Sequence, residues 1–285
     1  MFSVVMSVYH ADDPDQFKDA VHSVFDQSVP PSELVIAVDG PVGEKLEGAL
    51  KEVEMLPDIR ILRLERNLGA GASKHVAIKA CKYDIVAVMD ADDLCDPSRF
   101  ERQLKKFDEC GADIVGGYIE EFDHIPGDNP RVRTVPITHN EILQRGRWRQ
   151  PMNHVTIMFR KSVYEQVGGY HPVRCVEDFD LFHRMFVSGI RFANIPEILV
   201  YVRCGTAVLT RRRGMHYLRA ELALLRRMRR SGFLSAPRWI ASSSIRIIVR
   251  LMPRSVIGLL YKHLLRQRSR RSAIGVSVAV NRRHK

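Results

Sequence analysis

Apolar residues along this chain come in short unbroken runs, separated by stretches where they recur every three or four positions. The runs at residues 2–8, 34–38, 59–64 and 85–89 are rich in Val, Ile and Leu and have the length of buried strands. Between them lie helical patterns: Phe17, Val21, Val24 and Phe25, then Leu46, Leu50 and Val53, then a segment reaching about Cys81. A helix from Pro97 carries Phe100, Leu104 and Phe107 on one face, since positions three and four apart stack on a helix. Pro30-Pro31 ends the first helix, because proline offers no amide hydrogen to continue it. Strands alternating with helices predict an α/β fold whose mostly parallel sheet is flanked by helices.

Beyond residue 112 the alternation loosens. A strand is expected at 113–119, an irregular excursion at 123–136, a strand at 154–159, a helix ending at Gly168-Gly169, and a closing strand at 198–202. Thr138-His139-Asn140-Glu141 has the spacing of a capping box, in which Thr and Glu satisfy each other's exposed amides. Glu177-Asp178 opens a helix with Leu181, Phe182, Met185 and Phe186 inward.

Charge divides the chain in two. Its 285 residues carry a net +11, but residues 201–285 hold 21 Lys and Arg against one acid, Glu221. Residues 1–200 are therefore acidic, at −9. The expected organisation is a catalytic body at 1–205 and a basic amphipathic helical tail at 206–285, with different partners. Arg246, Arg250 and Arg254 recur every four residues, as do Lys262, Arg266 and Arg270. Such stripes suit an anionic membrane surface, and also a helix packed on the body with its charges in water. The tail has few aromatics and no nucleic-acid recognition motif, so no nucleic acid is expected. Five scattered cysteines without a CxxC pair fit reduced thiols in a cytosolic setting. Residues 2–8 lack a basic leader and read as a strand, and no apolar run approaches the ~18 residues of a membrane span.

The candidate chemistry lies after residue 89. Asp90, Asp92 and Asp93 crowd the end of an apolar strand, and open α/β sheets bind ligands just beyond their carboxyl ends. Crowded carboxylates repel unless a cation neutralises them, and hard oxygens select Mg²⁺ or Mn²⁺, which also hold substrate phosphates. A helix cap explains Asp96-Pro97 but not these three acids. Gly69-Ala70-Gly71 is no dinucleotide fingerprint, because it follows the third strand and lacks a third Gly,.

Ser7-Val8-Tyr9, Asp39-Gly40, Asn67-Leu68-Gly69, Asp90-Ala91-Asp92-Asp93, Gly168-Gly169-Tyr170 and Glu177-Asp178-Phe179 occur in that order. Together they resemble the family 2 glycosyltransferases, whose fold is the Rossmann-like GT-A architecture. The basic segment after Tyr201 is similar to the amylovoran-type exopolysaccharide members. The resemblance implies an inverting hexose transfer from a nucleotide-diphosphate sugar, a UDP-sugar, to a polysaccharide or polyprenyl-diphosphate-linked acceptor at the inner face of a membrane. It implies Asp92 on the Mn²⁺ or Mg²⁺ ion, Asp90 on the nucleotide with Asp93 sharing either task, and Asp39 on the uracil. Asp178 becomes the general base, with Glu177 beside it, while His154 lines the site and Lys74 faces phosphate. His75 and Ala77 stand where the family often has Asn and Gly, so the nucleotide loop departs from the pattern. The residues by themselves leave two other readings open: a non-catalytic membrane-surface or nucleic-acid-binding module, and a nucleotidyltransferase releasing pyrophosphate.

Overall fold

The computed structural model describes residues 1–173, 175–204 and 215–251. The cationic positions at 211–213 and the second stripe at 262–270 lie outside them, as do Arg254 and Pro253.

The strands are β1 Ser3–Val8, β2 Glu33–Val38, β3 Ile59–Arg63, β4 Ile85–Asp90, β5 Leu94–Cys95, β6 Ile114–Phe122, β7 Arg131–Arg133, β8 Met158–Arg160 and β9 Phe192–Arg203. The helices are α1 Pro14–Phe25, α2 Glu44–Glu54, α3 Ala70–Ala80, α4 Arg99–Cys110, α5 His139–Gly146, α6 Lys161–Gln166, α7 Glu177–Val187, α8 Met215–Arg230 and α9 Ala236–Leu251. One sheet runs β3-β2-β1-β4-β8-β6-β9-β5, with β7 alongside β6. The first four strands are parallel, and so is the long β6–β9 pair. Short antiparallel pairings through β8 join the two halves. The result is the expected α/β sandwich.

Side-chain alternation builds its two cores. Val4, Met6 and Val8 of β1 pack with Leu34, Ile36 and Val38 of β2 against Phe17, Leu50 and Phe100. Val5, Val35, Val86 and Val88 point the other way, against Ile78, Tyr164 and Phe182. All are essentially inaccessible, and each such burial stabilises by about 1.5–3 kcal/mol.

Two expectations at the sheet's second half change. Residues 154–159 are not one strand: His154–Thr156 form a 3-10 turn before β8. The Thr156 hydroxyl donates to Asn153 O at 2.7 Å and accepts the Gly117 amide at 3.0 Å, so side-chain bonds replace the ladder there. The closing strand is also longer than 198–202, because β9 passes through Pro196-Glu197 by slipping register against β6. A bulge accommodates the proline.

The tail's described part packs on the body. Leu224, Leu225 and Met228 of α8 join Leu234 against Val176 and Phe179 of the body. Arg246 and Arg250 do not form an outward stripe. Both turn inward to Glu221 of α8, at 3.5 and 3.2 Å, and Arg246 also donates to Trp148 O at 3.0 Å. Ile240, Ile245, Ile248 and Val249 of α9 are left about half exposed. Among the described residues no helix is long and apolar enough to cross a membrane.

Candidate active site

Strand order reverses between β1 and β4, and the crevice beyond that switch point is where such sheets bind ligands. Ser7 and Asp90 are register partners at its floor. A cleft of about 1080 Å³ opens there, and Asp39, Asp90, Asp92, Asp93, Glu177 and Asp178 all line it, with Lys74 and His154. The eight candidate site residues named from the sequence are therefore brought to one cavity.

Asp90 and Lys74 form its base. Lys74 is almost fully buried, and its ammonium donates to Asp90 Oδ1 at 2.5 Å. Burial alone would lower the lysine and raise the carboxyl. The pairing outweighs both, holding Lys74 above its ordinary value with help from Asp178 and Glu177, and Asp90 below its own,.

Asp93 is different. It is buried, and besides that burial the charges of Asp92 and Asp90 push its carboxyl well above the usual range, against one amide bond from Arg203. These are hard oxygens held close together without enough positive charge. Among the described residues no three His, Cys, Asp or Glu side chains converge as a complete metal cage. The donor set fits Mg²⁺ or Mn²⁺ all the same, because these ions take one or two carboxylates and complete their shell with substrate phosphates and water.

Asp39 is buried at the end of β2, and both its carboxylate oxygens accept amides, from Leu68 at 2.7 Å and Gly69 at 2.9 Å. It thereby shapes the Asn67-Leu68-Gly69 loop as well as lining the cleft. Gly40 has φ +87°, and a Cβ there would sit 2.7 Å from the Asn67 amide nitrogen, so only glycine lets the two loops touch. Gly71 likewise admits Glu177, whose Cβ and Cγ would lie 3.1 Å from an added Cβ.

Glu177 and Asp178 begin α7. Burial, and then the charge of Asp178, raises the Glu177 carboxyl, and its Oε2 is buried without a hydrogen-bond partner among the described residues. Asp178 is about one-third exposed and lies 3.4 Å from His154 Nε2. That nitrogen also meets the Tyr170 hydroxyl. Burial holds His154 below its ordinary value and keeps Tyr170 a protonated phenol. The imidazole is therefore neutral near pH 7, and Asp178 faces a polar pair that orients it.

Four contributors escaped the sequence reading. Tyr170 was only part of a motif. Arg203 reaches Asp93 through its amide and Asp92 O through Nε at 3.3 Å, from a strand 110 positions away. Arg99 is fully buried beneath the site, donating to Val88 O at 2.8 Å and Val155 O at 3.1 Å. Gln103, one turn on, donates to Val115 O and Thr156 O. This pair fastens β4, which carries Asp90, to the turn that carries His154. Arg99 and Gln103 occupy the inward positions of α4, a face on which the apolar pattern drew the eye to Phe100 and Phe107.

A family model described as glycosyl transferase family 2 matches residues 3–168. An amylovoran biosynthesis glycosyltransferase, AmsE, of Erwinia amylovora is 33% identical over 267 residues, 92% of this chain and 98% of its own. A UDP-Gal:alpha-D-GlcNAc-diphosphoundecaprenol beta-1,3-galactosyltransferase of Escherichia coli is 32% identical over 267 residues, 93% of this chain and 97% of its own. Among solved structures, residues 1–349 of S. aureus TarS in complex with UDP-GlcNAc superpose with a TM-score of 0.67 at 15% identity. That match covers 87% of this chain and 72% of the other and shares the fold.

Proposed function

The chain belongs to glycosyl transferase family 2, and from that premise we propose that it transfers a hexose from a UDP-sugar to a polyprenyl-diphosphate-linked acceptor, inverting the anomeric centre. One observation carries this assignment: Asp90, Asp92 and Asp93 at the end of β4 share a cleft with Asp178 at the start of α7, with Lys74 paired to Asp90 and His154 beside Asp178.

Each acid has a task. Asp92, with Asp93 or Asp90, holds Mn²⁺ or Mg²⁺ against the donor diphosphate. The ion supplies positive charge to that leaving group when bound. Lys74 keeps Asp90 ionised and adds a cation near the phosphates. Asp39, fixing the Asn67-Leu68-Gly69 loop, shapes the floor for the uracil and keeps lone pairs free to accept from it. Asp178 takes the proton of the acceptor hydroxyl as that oxygen bonds the anomeric carbon and the bond to UDP breaks. His154, neutral and held by Tyr170, orients the Asp178 carboxylate. Glu177, its affinity for a proton raised by burial and the neighbouring charge, stands beside Asp178 at the start of α7.

Residues 206–285 form the membrane-associating part, on the inner face of an anionic bilayer. What supports this is the basic excess of the tail together with the exposed isoleucines of α9. Because α8 completes the core near Asp178, point changes test it better than truncation. Ile245→Asp with Ile248→Asp is expected to abolish co-sedimentation with anionic vesicles; retained binding would remove the anchor.

The test of the activity is a panel of UDP-sugars with a polyprenyl diphosphate acceptor and Mn²⁺, following UDP and product. Turnover releasing UDP is expected, and Asp178→Asn should lower kcat about 10²–10⁴-fold, the usual size of general-base catalysis. Release of pyrophosphate, or full activity in Asp178→Asn, would overturn the assignment.

A further inference from the structure

Lys74 and His75 are neighbours on α3, yet they bond to different parts of the molecule. Lys74 pairs with Asp90 on the cleft floor. His75 Nδ1 lies 2.7 Å from the Tyr164 hydroxyl of α6, and neither His75 nor Tyr164 lines the cleft. Tyr164 is fully buried. Its hydroxyl oxygen also accepts the Tyr170 amide at 2.9 Å, so it joins α3 to the turn that follows α6. Gly168 and Gly169 bring that turn in with φ of +78° and +65°. A Cβ on Gly169 would lie 2.6 Å from His75 Nδ1 and 2.8 Å from Tyr164 Cε1, so glycine is what lets the turn press on the pair. The Tyr164 and Tyr170 rings then meet edge to face, with centroids 5.6 Å apart. From there the Tyr170 hydroxyl reaches His154 Nε2, and the same nitrogen lies 3.4 Å from Asp178 Oδ1.

Resting on the glycosyl-transfer reading, we propose that His75 and Tyr164 are positioning residues for the general base. They fix Tyr170, Tyr170 fixes His154, and His154 sets the direction of the Asp178 carboxylate. A base works only within hydrogen-bond reach of the proton it takes, and a side chain keeps such an aim when its own rotamer is locked from behind. The lock here has two sides. Arg184 holds the carbonyls of the turn, Gly169 O at 2.6 Å and Val167 O, while Tyr164 holds the amide of Tyr170. Every link before Asp178 is uncharged near pH 7. Burial, and then the charge of Lys79, hold His75 below its ordinary value, and burial keeps both tyrosines protonated. The chain therefore orients Asp178 without adding a charge of its own. One helix thereby serves both halves of the reaction, with Lys74 at the donor acids and His75 behind the base.

The experiment uses the full chain with a UDP-sugar, a polyprenyl diphosphate acceptor and Mn²⁺, and follows UDP release and, in parallel, UDP binding. Tyr164→Phe keeps the ring and removes the hydroxyl. It is expected to lower kcat about tenfold, the size of one lost hydrogen bond to a buried amide, with KM for the UDP-sugar and UDP affinity little changed. His75→Leu should do the same from the half-buried end of the chain. His75→Asn should restore most of the rate, because its side-chain amide stands as many bonds from the backbone as Nδ1 and can bond the same hydroxyl. A role in packing alone would not give the next result. In a Tyr170→Phe background, where the link to His154 is already cut, Tyr164→Phe should cost little further. An undiminished loss in that background, or native kcat in both Tyr164→Phe and His75→Leu, overturns the positioning role while the glycosyl-transfer reading stands. So does a fall in UDP affinity that matches the fall in kcat, which marks general damage to the site. Should Tyr164→Phe not fold, the two His75 variants decide: a faster Asn variant supports the role, and equal rates overturn it. Absence of UDP release by the native protein instead overturns the glycosyl-transfer reading, and the positioning role with it.

Discussion

The Lys74 ammonium lies 2.5 Å from Asp90 Oδ1 on the cleft floor, so the helix after the glycine loop is tied to the strand that ends in carboxylates. The two sequence segments were 16 positions apart, and no periodicity links them. Their pairing holds Lys74 above and Asp90 below their ordinary proton affinities at the base of the cleft.

Removing the lysine tests that tie. Lys74→Met should cost roughly 1–3 kcal/mol of stability, the penalty for leaving a charged group unpaired, and less than a fully buried pair would, because Asp90 is about 39% exposed. The signs fix the pH window. Asp90 is depressed in the folded state, so its contribution is present above about 3.8 and lost as pH falls. Lys74 is raised, so its contribution is present below about 10.5 and lost as pH rises. The difference in thermal midpoint between native and variant should therefore be greatest between these limits and shrink outside them. A difference that is flat with pH would contradict the pairing.

Asp93 is expected to weaken the fold that it serves. Its folded-state affinity for a proton is raised, so its contribution to stability is full below about 3.8 and declines as pH rises. Asp93→Asn keeps an acceptor for the Arg203 amide without the charge. Its midpoint should exceed the native one by roughly 2–4 °C at pH 7, and the two should converge near pH 4. UDP with Mn²⁺ should stabilise the native protein more than the variant, because only the native carboxylate answers a cation. Destabilisation of the variant at pH 7 would refute this.

Gly40→Ala probes the contact between the Asp39 and Asn67 loops. With φ at +87° and the new Cβ 2.7 Å from a backbone nitrogen, the substitution should cost on the order of 1–3 kcal/mol. It should also raise the donor KM by displacing the amides that Asp39 holds. Unchanged stability and KM would show that the loops do not need to touch.

How much of this was legible beforehand differs from element to element. β1 to β4 and their helices follow from the runs and periods, because strands buried on both faces leave nothing to contradict the pattern. The carboxylate positions were legible for the same reason: they break an apolar run at its end. The segment from His154 was not, since Val155 and Ile157 look like a strand while Asn153 and Thr156 take over the backbone's hydrogen bonds. The first half of β9 was hidden by Pro196, which a register slip absorbs. The spacing of Arg246 and Arg250 gave a stripe without its direction. Glu221, the tail's one acid, decides that direction by drawing both arginines inward, which leaves the isoleucines outside.

The central claim is that the acids after Met89 hold the donor diphosphate through a divalent ion. Titration of UDP into the full-length protein, with Mn²⁺ and again with a chelator, tests it without any acceptor. Tight binding with Mn²⁺, weakened at least about tenfold by the chelator and equally by Asp92→Asn, is the predicted result. The same UDP affinity in the chelator as in Mn²⁺, or an Asp92→Asn variant that keeps the manganese dependence, would contradict it.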